Sequence, residues 1–147
     1  MIYTPLTLRA MEIAYNAHHG QKDKCGAPYI LHPVHLAEQM KDEYSCCAAL
    51  LHDTVEDTGI TFDQLAEIFP PEVINAVRLL THDDHTAYDD YVRAIRNDPI
   101  AKAVKTADLE HNSDPTRLSL TTVSPEKKQM YAETYARAKK ILSGEIE

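Results

Sequence analysis

The chain has 147 residues, a formal net charge of −8 at neutral pH, four glycines and no tryptophan. A chain of this length buries roughly 70% of the surface its unfolded form exposes, so one domain over residues 1–147 with a core of its own is expected. The acidic balance argues against a nucleic-acid partner, no apolar run approaches the roughly 20 residues that cross a bilayer, and "MIYTPLTLRA" lacks the basic-then-apolar order of a secretory signal.

Thr4 and Pro5 form a start signal for a helix over residues 6–19, whose apolar stripe reads Leu8, Met11, Ala14 (or Tyr15) and His18. Residues 20–31, "GQKDKCGAPYIL", hold two glycines and a proline and predict an ordered loop. A short helix is expected from about Pro33 to Met40, then one over 45–57 stopped by Thr58 and Gly59. Thr61 caps "TFDQLAEIF", and further helices are expected over 71–80, 88–97, from Pro99 to a limit at Pro115, and over 125–142. The last carries Tyr131, Tyr135, Ala138 and Leu142 on one stripe. No segment alternates with a period of two, so the expectation is all-α, with about seven or eight helices. Cys25, Cys46 and Cys47 form no CxxC pair, which suits small apolar side chains in a reducing cytosol; a cytoplasmic location is expected.

Residues 49–58, "ALLHDTVEDT", break this pattern. His52, Asp53, Glu56 and Asp57 follow directly on an Ala/Leu run that should enter the core. A buried charge is costly unless it is paired or bound to a metal. In a continuous helix His52 and Glu56 share a face, as do Asp53 and Asp57. Imidazole beside carboxylate suits a divalent ion of the manganese, iron or zinc type. One helix rarely closes such a site, and His32 before Pro33 and Asp108 in "VKTADLEHN" are further candidates. Each has a plainer explanation alone: helix entry for His32, an ion pair with Lys105 for Asp108.

The order His, then His-Asp, then Asp, each at a helix edge, resembles the HD superfamily of metal-dependent phosphohydrolases. More narrowly, "GQKDKCGAPYILHP", "AALLHDTVEDT" and "VKTADLEHNSDPTRL" resemble the hydrolase domain of the RelA/SpoT alarmone enzymes, including the stand-alone small alarmone hydrolases such as the metazoan SpoT homologue. The resemblance implies a helical HD-domain bundle and one divalent metal, usually manganese, with iron, zinc, nickel, cobalt or magnesium as alternatives. It implies that His32, His52, Asp53 and Asp108 hold the ion and that Glu56 and Asp57 position and activate water. Asn112 would contact the ribose, and Lys24 the phosphates or base. The implied reaction removes the 3′-diphosphate of (p)ppGpp or its adenosine counterpart as pyrophosphate. The chain leaves no room for a synthetase domain, so alarmone synthesis is not expected.

Two positions depart from the pattern. Asp23 stands where the family commonly has an arginine that stacks on guanine, and Pro115 where multidomain members often have a threonine near the ribose. A carboxylate cannot stack, but it accepts hydrogen bonds from an exocyclic amine, so the expectation is altered base selectivity with the chemistry intact. Lys22, Lys24 and Lys105 are the cations available to offset substrate charge, and Tyr88 is a candidate stacking contact.

The remaining histidines read as supporting residues. His18 and His19 suit a cationic helix C-cap, His35 a packing role, and His111 a hydrogen bond behind the metal ligands. His82, Asp83, Asp84 and His85 read as a solvated loop. A phosphatase acting on a nucleoside monophosphate or NADPH, or a metal-bound nucleotide-sensing module without turnover, are the alternatives; Glu56 and Asp57 disfavour the last. Oligomerisation is open.

Overall fold

Residues 1–147 are described by a computed structural model that contains ten helices and no strand. In chain order these are α1 (Pro5–Ala17), α2 (Leu31–Glu38), α3 (Glu43–Leu51), α4 (Thr54–Asp57), α5 (Phe62–Ala66), α6 (Pro71–Leu80), α7 (Tyr88–Arg96), α8 (Pro99–Asn112), α9 (Pro115–Leu120) and α10 (Pro125–Ser143). Capping chemistry sets many of these starts. Thr4 and Thr7 close a reciprocal capping box on α1, Asp98 accepts from Ala101 N before α8, and Ser124 accepts from Lys127 N before α10. Proline at the first position of α1, α6, α8, α9 and α10 supplies a helical φ where no amide donor is needed.

The centre of the molecule is α3, packed against α1, α2, α6 and α8. Every residue from Ser45 to Leu51 is buried, including the free Cys46 and Cys47. They belong to one core of 28 buried apolar residues. Cutting Leu50 to Ala there would cost about 2–5 kcal/mol. The buried stripe of α1 is Thr7, Ala10 and Ala14, turned from the expected one, and Leu8 is exposed. Small residues on α1 match the small face of α3, and a leucine would hold the two backbones apart.

Two other differences concern the site. The expected helix over 45–57 is broken at His52 and Asp53, where Asp53 leaves helical geometry at φ −108°, ψ 2° and the Thr54 hydroxyl donates to Leu51 O at 2.8 Å. The helical spacing argument therefore fails for His52–Glu56, which the break separates, but holds for Asp53–Asp57: Asp57 N donates to Asp53 O at 3.0 Å, and the carboxylates of Asp53, Glu56 and Asp57 lie within 4.8 Å of one another. Pro115 does not simply limit α8; after a turn at Ser113–Asp114 it opens α9, a helix the sequence reading lacked, capped by Asp114 on Thr116 N. The loop 20–30 folds back on itself through an isolated bridge between Lys22 and Pro28, and Gly26 turns it with φ +94°. No helix is long and apolar enough to cross a membrane.

Candidate active site and metal centre

The loop 20–30, the junction between α3 and α4, and helices α2, α4, α6, α7, α8, α9 and α10 line a cleft of about 390 Å³. All ten residues assigned a role from the sequence line it: His32, His52, Asp53 and Asp108, then Glu56 and Asp57, then Lys22, Lys24, Tyr88 and Asn112.

On its floor, His32, His52 and Asp53 each bring one donor atom within 4.8 Å of the others. Asp108 joins them, with Oδ1 at 2.9 Å from His32 Nε2 and 4.0 Å from His52 Nε2. Both histidines and Asp108 are buried. The tautomer of His52 follows from its neighbours: Nδ1 lies 2.6 Å from the carbonyl oxygen of Ala49, which only accepts, so Nδ1 carries the proton. Its Nε2 lone pair is buried and makes no aligned hydrogen bond, although Asp53 Oδ2 is 3.0 Å away. A buried imidazole lone pair facing two carboxylates is a donor set for a divalent cation, and the residues present fit one.

Supporting contacts hold this set. His32 Nδ1 lies 2.7 Å from His111 Nδ1, and His111 stacks on His35 at 4.1 Å. Burial, with Arg117 and His32 nearby, lowers the His111 pKa to about 4, so its ring stays neutral and shares a single proton with His32 across the Nδ1–Nδ1 contact. That leaves the other His32 nitrogen to the cluster. The Tyr29 hydroxyl donates to Asp53 Oδ2. Lys105 Nζ, buried under Tyr88 and Tyr91, reaches Asp108 Oδ2 at 2.9 Å. Burial alone would raise the Asp108 pKa, but Lys105 and the two histidines outweigh it and hold Asp108 well below the carboxylate range. Burial likewise opposes charge on His52, yet Asp53 and Asp108 raise its pKa to about 9 without a metal, so Nε2 then holds a proton that a bound cation would displace to use its lone pair.

At the mouth stand the exposed Glu56 and Asp57. Desolvation of their inner sides, with Asp53 beside them, raises both pKa values. Glu56 Oε1 accepts the His82 backbone amide at 2.7 Å, and Gln21 Nε2 donates to the Asp57 carbonyl at 3.2 Å.

Several residues here were read otherwise from the sequence. His82 is no solvated-loop residue: it packs on Tyr91 at 4.7 Å and orients Glu56. Asp83 and His85 remain exposed and tie the loop locally. His18 does end α1, but it is buried, bonded to Gln21 and packed on Tyr29, so it is no solvated cationic cap. Its Nε2 is the other buried side-chain nitrogen without a partner. Asp23 is not free for a base amine. Its carboxylate is occupied by Cys25 N, Ala27 N and Arg117, and with the Cys25 thiol these outweigh burial and lower its pKa to about 2. Tyr29, Gln21 and Arg117 were missed. Tyr29 stands three residues before His32, one helical turn, a usable signal; the reach of Gln21 and Arg117 across the chain left none.

The family model of the HD domain matches residues 10–86. The chain is 33% identical over 139 residues to a guanosine-3′,5′-bis(diphosphate) 3′-pyrophosphohydrolase of Spiroplasma citri, covering 84% of this chain and 18% of that protein. It is 34% identical over 143 residues to a probable enzyme of the same description from Synechocystis, covering 86% and 18%. A probable GTP pyrophosphokinase of Mycobacterium leprae is 37% identical over 132 residues, covering 81% and 16%. The chain thus spans under a fifth of the length of these relatives. Among solved structures, a metazoan ortholog of SpoT described as hydrolysing ppGpp and acting in starvation responses superposes with a TM-score of 0.83 at 24% identity, covering 98% of this chain and 89% of that one.

Proposed function

The chain belongs to the HD-domain family, and from that premise we propose that it is a metal-dependent 3′-pyrophosphohydrolase of guanosine or adenosine alarmones. The observation that carries this reading is the convergence of His32, His52, Asp53 and Asp108 on one buried point, with Glu56 and Asp57 at the mouth of the same cleft. Relatives from Spiroplasma and Synechocystis described as guanosine-3′,5′-bis(diphosphate) 3′-pyrophosphohydrolases support the substrate class.

In this reading the four residues hold one divalent ion, for which we propose manganese. A bound divalent ion lowers the pKa of water from about 16 towards 7 and polarises phosphoryl oxygens. Glu56, fixed by the His82 amide, accepts a proton from the attacking water, and its burial, with Asp53 beside it, raises its pKa and so strengthens it as a base. Asp57 orients that water from the other side, with its backbone tied to Gln21. Lys22 faces the departing phosphates, Lys24 the phosphates or the base, Asn112 the ribose, and Tyr88 the opposite wall.

A nucleotide panel at fixed manganese tests the assignment: ppGpp, ppApp, nucleoside monophosphates and NADPH, with kcat/KM for each. Cleavage of ppGpp or ppApp well ahead of the others is expected. Preference for a monophosphate or NADPH would move the protein to the general phosphatases of the fold, and no turnover of any would make it a binding module.

A further inference from the structure

The first turn of α9 delivers Arg117 to the cleft wall, directly against the loop 20–30. Nη2 lies 3.1 Å from Asp23 Oδ2, and Nη1 donates to the His111 carbonyl at 2.8 Å and to Asn112 Oδ1 at 3.4 Å. Asp23 is fixed in turn: its Oδ1 accepts from Cys25 N at 3.0 Å and Ala27 N at 2.9 Å. Its side chain is 9% exposed against 20% for Arg117.

This pairing dictates what Arg117 can offer a ligand. Three of its five N–H donors are engaged by these acceptors, and its charge is matched by a carboxylate at contact distance. A phosphate would have to share the guanidinium with Asp23. The flat, weakly hydrated face of the guanidinium needs no such competition, and it stacks on planar rings. Leu118 beside it and Tyr131 on α10 also line the cleft, and Lys24 of the loop lies 4.1 Å over the Tyr131 ring. This wall pairs a charge-matched guanidinium with rings and an apolar side chain, whereas the floor carries the imidazoles and carboxylates of His32, His52, Asp53 and Asp108.

We propose that Arg117 is the base-recognition platform of this cleft, its guanidinium face taking the purine of the nucleotide, with Asp23 as the positioning residue that locks it. Base selection then comes from α9 and not from the loop. The inference rests on reading the cleft as a nucleotide site.

The test uses the full chain saturated with manganese and two substitutions. Arg117→Lys keeps the charge and removes the planar face; Asp23→Asn keeps an acceptor for the loop amides and removes the ionic lock. KM and kcat are measured with ppGpp, and inorganic pyrophosphate, which has no base, serves as a competing inhibitor. Arg117→Lys should raise KM for ppGpp about tenfold or more, the size of one lost stacking contact. It should lower kcat less than it raises KM, and pyrophosphate should inhibit as in the wild type. Asp23→Asn should move KM the same way by a smaller factor. An unchanged KM in Arg117→Lys, or equal weakening of ppGpp and pyrophosphate, overturns the proposal while leaving the hydrolase reading intact. Failure of the wild type to cleave or bind any nucleotide removes that reading and this inference with it.

Discussion

Lys105 Nζ and Asp108 Oδ2 lie 2.9 Å apart in the interior, and both residues are buried. In the metal-free protein this lysine is the nearest full positive charge to a carboxylate that also faces His32 and His52. Taking one partner from a buried ion pair costs about 3–5 kcal/mol, because the other charge is stranded. Lys105→Met should therefore destabilise the metal-free chain by about that amount, with part of the loss restored by added manganese. Urea unfolding with and without chelator measures both. Equal stability of variant and wild type in chelator would show that Lys105 is not the counter-ion.

Removing a metal donor has a different signature. Purified protein should contain about one equivalent of a divalent transition metal. His52→Ala deletes the nitrogen that Ala49 O holds in its tautomer, and should abolish both the bound ion and turnover. Elemental analysis decides, and full metal content in that variant contradicts the assignment.

Glu56→Gln retains an oxygen for the His82 amide, so the side chain should keep its place. Asp57→Asn likewise alters charge with little change of shape. Both variants should bind metal and nucleotide while kcat falls by roughly 10²–10⁴, as for loss of a general base. Wild-type turnover in either excludes that residue from the water-activating pair.

The Asp23 lock gives a pH signature. Its pKa is lowered from 3.8 to about 2 in the folded chain, so its stabilisation is complete above 3.8 and disappears as pH falls to about 2. The stability gap between wild type and Asp23→Asn should be constant at neutral pH, shrink through that window and close below it. Urea midpoints across the acid range give the comparison. A gap that persists below pH 2 assigns the effect to the loop turn and not to the ion pair.

Helix type and many boundaries were legible because caps and prolines are local signals: Thr4 with Pro5, Thr61, Pro71 and Pro99 mark starts unaided, whereas Pro115 reads as a stop for α8 as readily as a start for α9. The six residues proposed to serve metal and water could be picked out because their order along the chain resembles a known family, and the structure gathers all six in one cleft. What the sequence could not show was long-range. The break at His52–Asp53 depends on a Thr54 hydroxyl reaching Leu51 O, and periodicity cannot see it. Asp23 meets Arg117 across 94 residues, and Glu56 meets a backbone amide, which carries no residue identity.

The central claim, that this site releases pyrophosphate through a metal, is tested most directly by product analysis. Chelator-treated protein is assayed with ppGpp before and after reloading with manganese. The account predicts no turnover without metal and, on reloading, GDP and pyrophosphate in equal amounts with no orthophosphate. Metal-independent turnover, or orthophosphate as the released product, would contradict it.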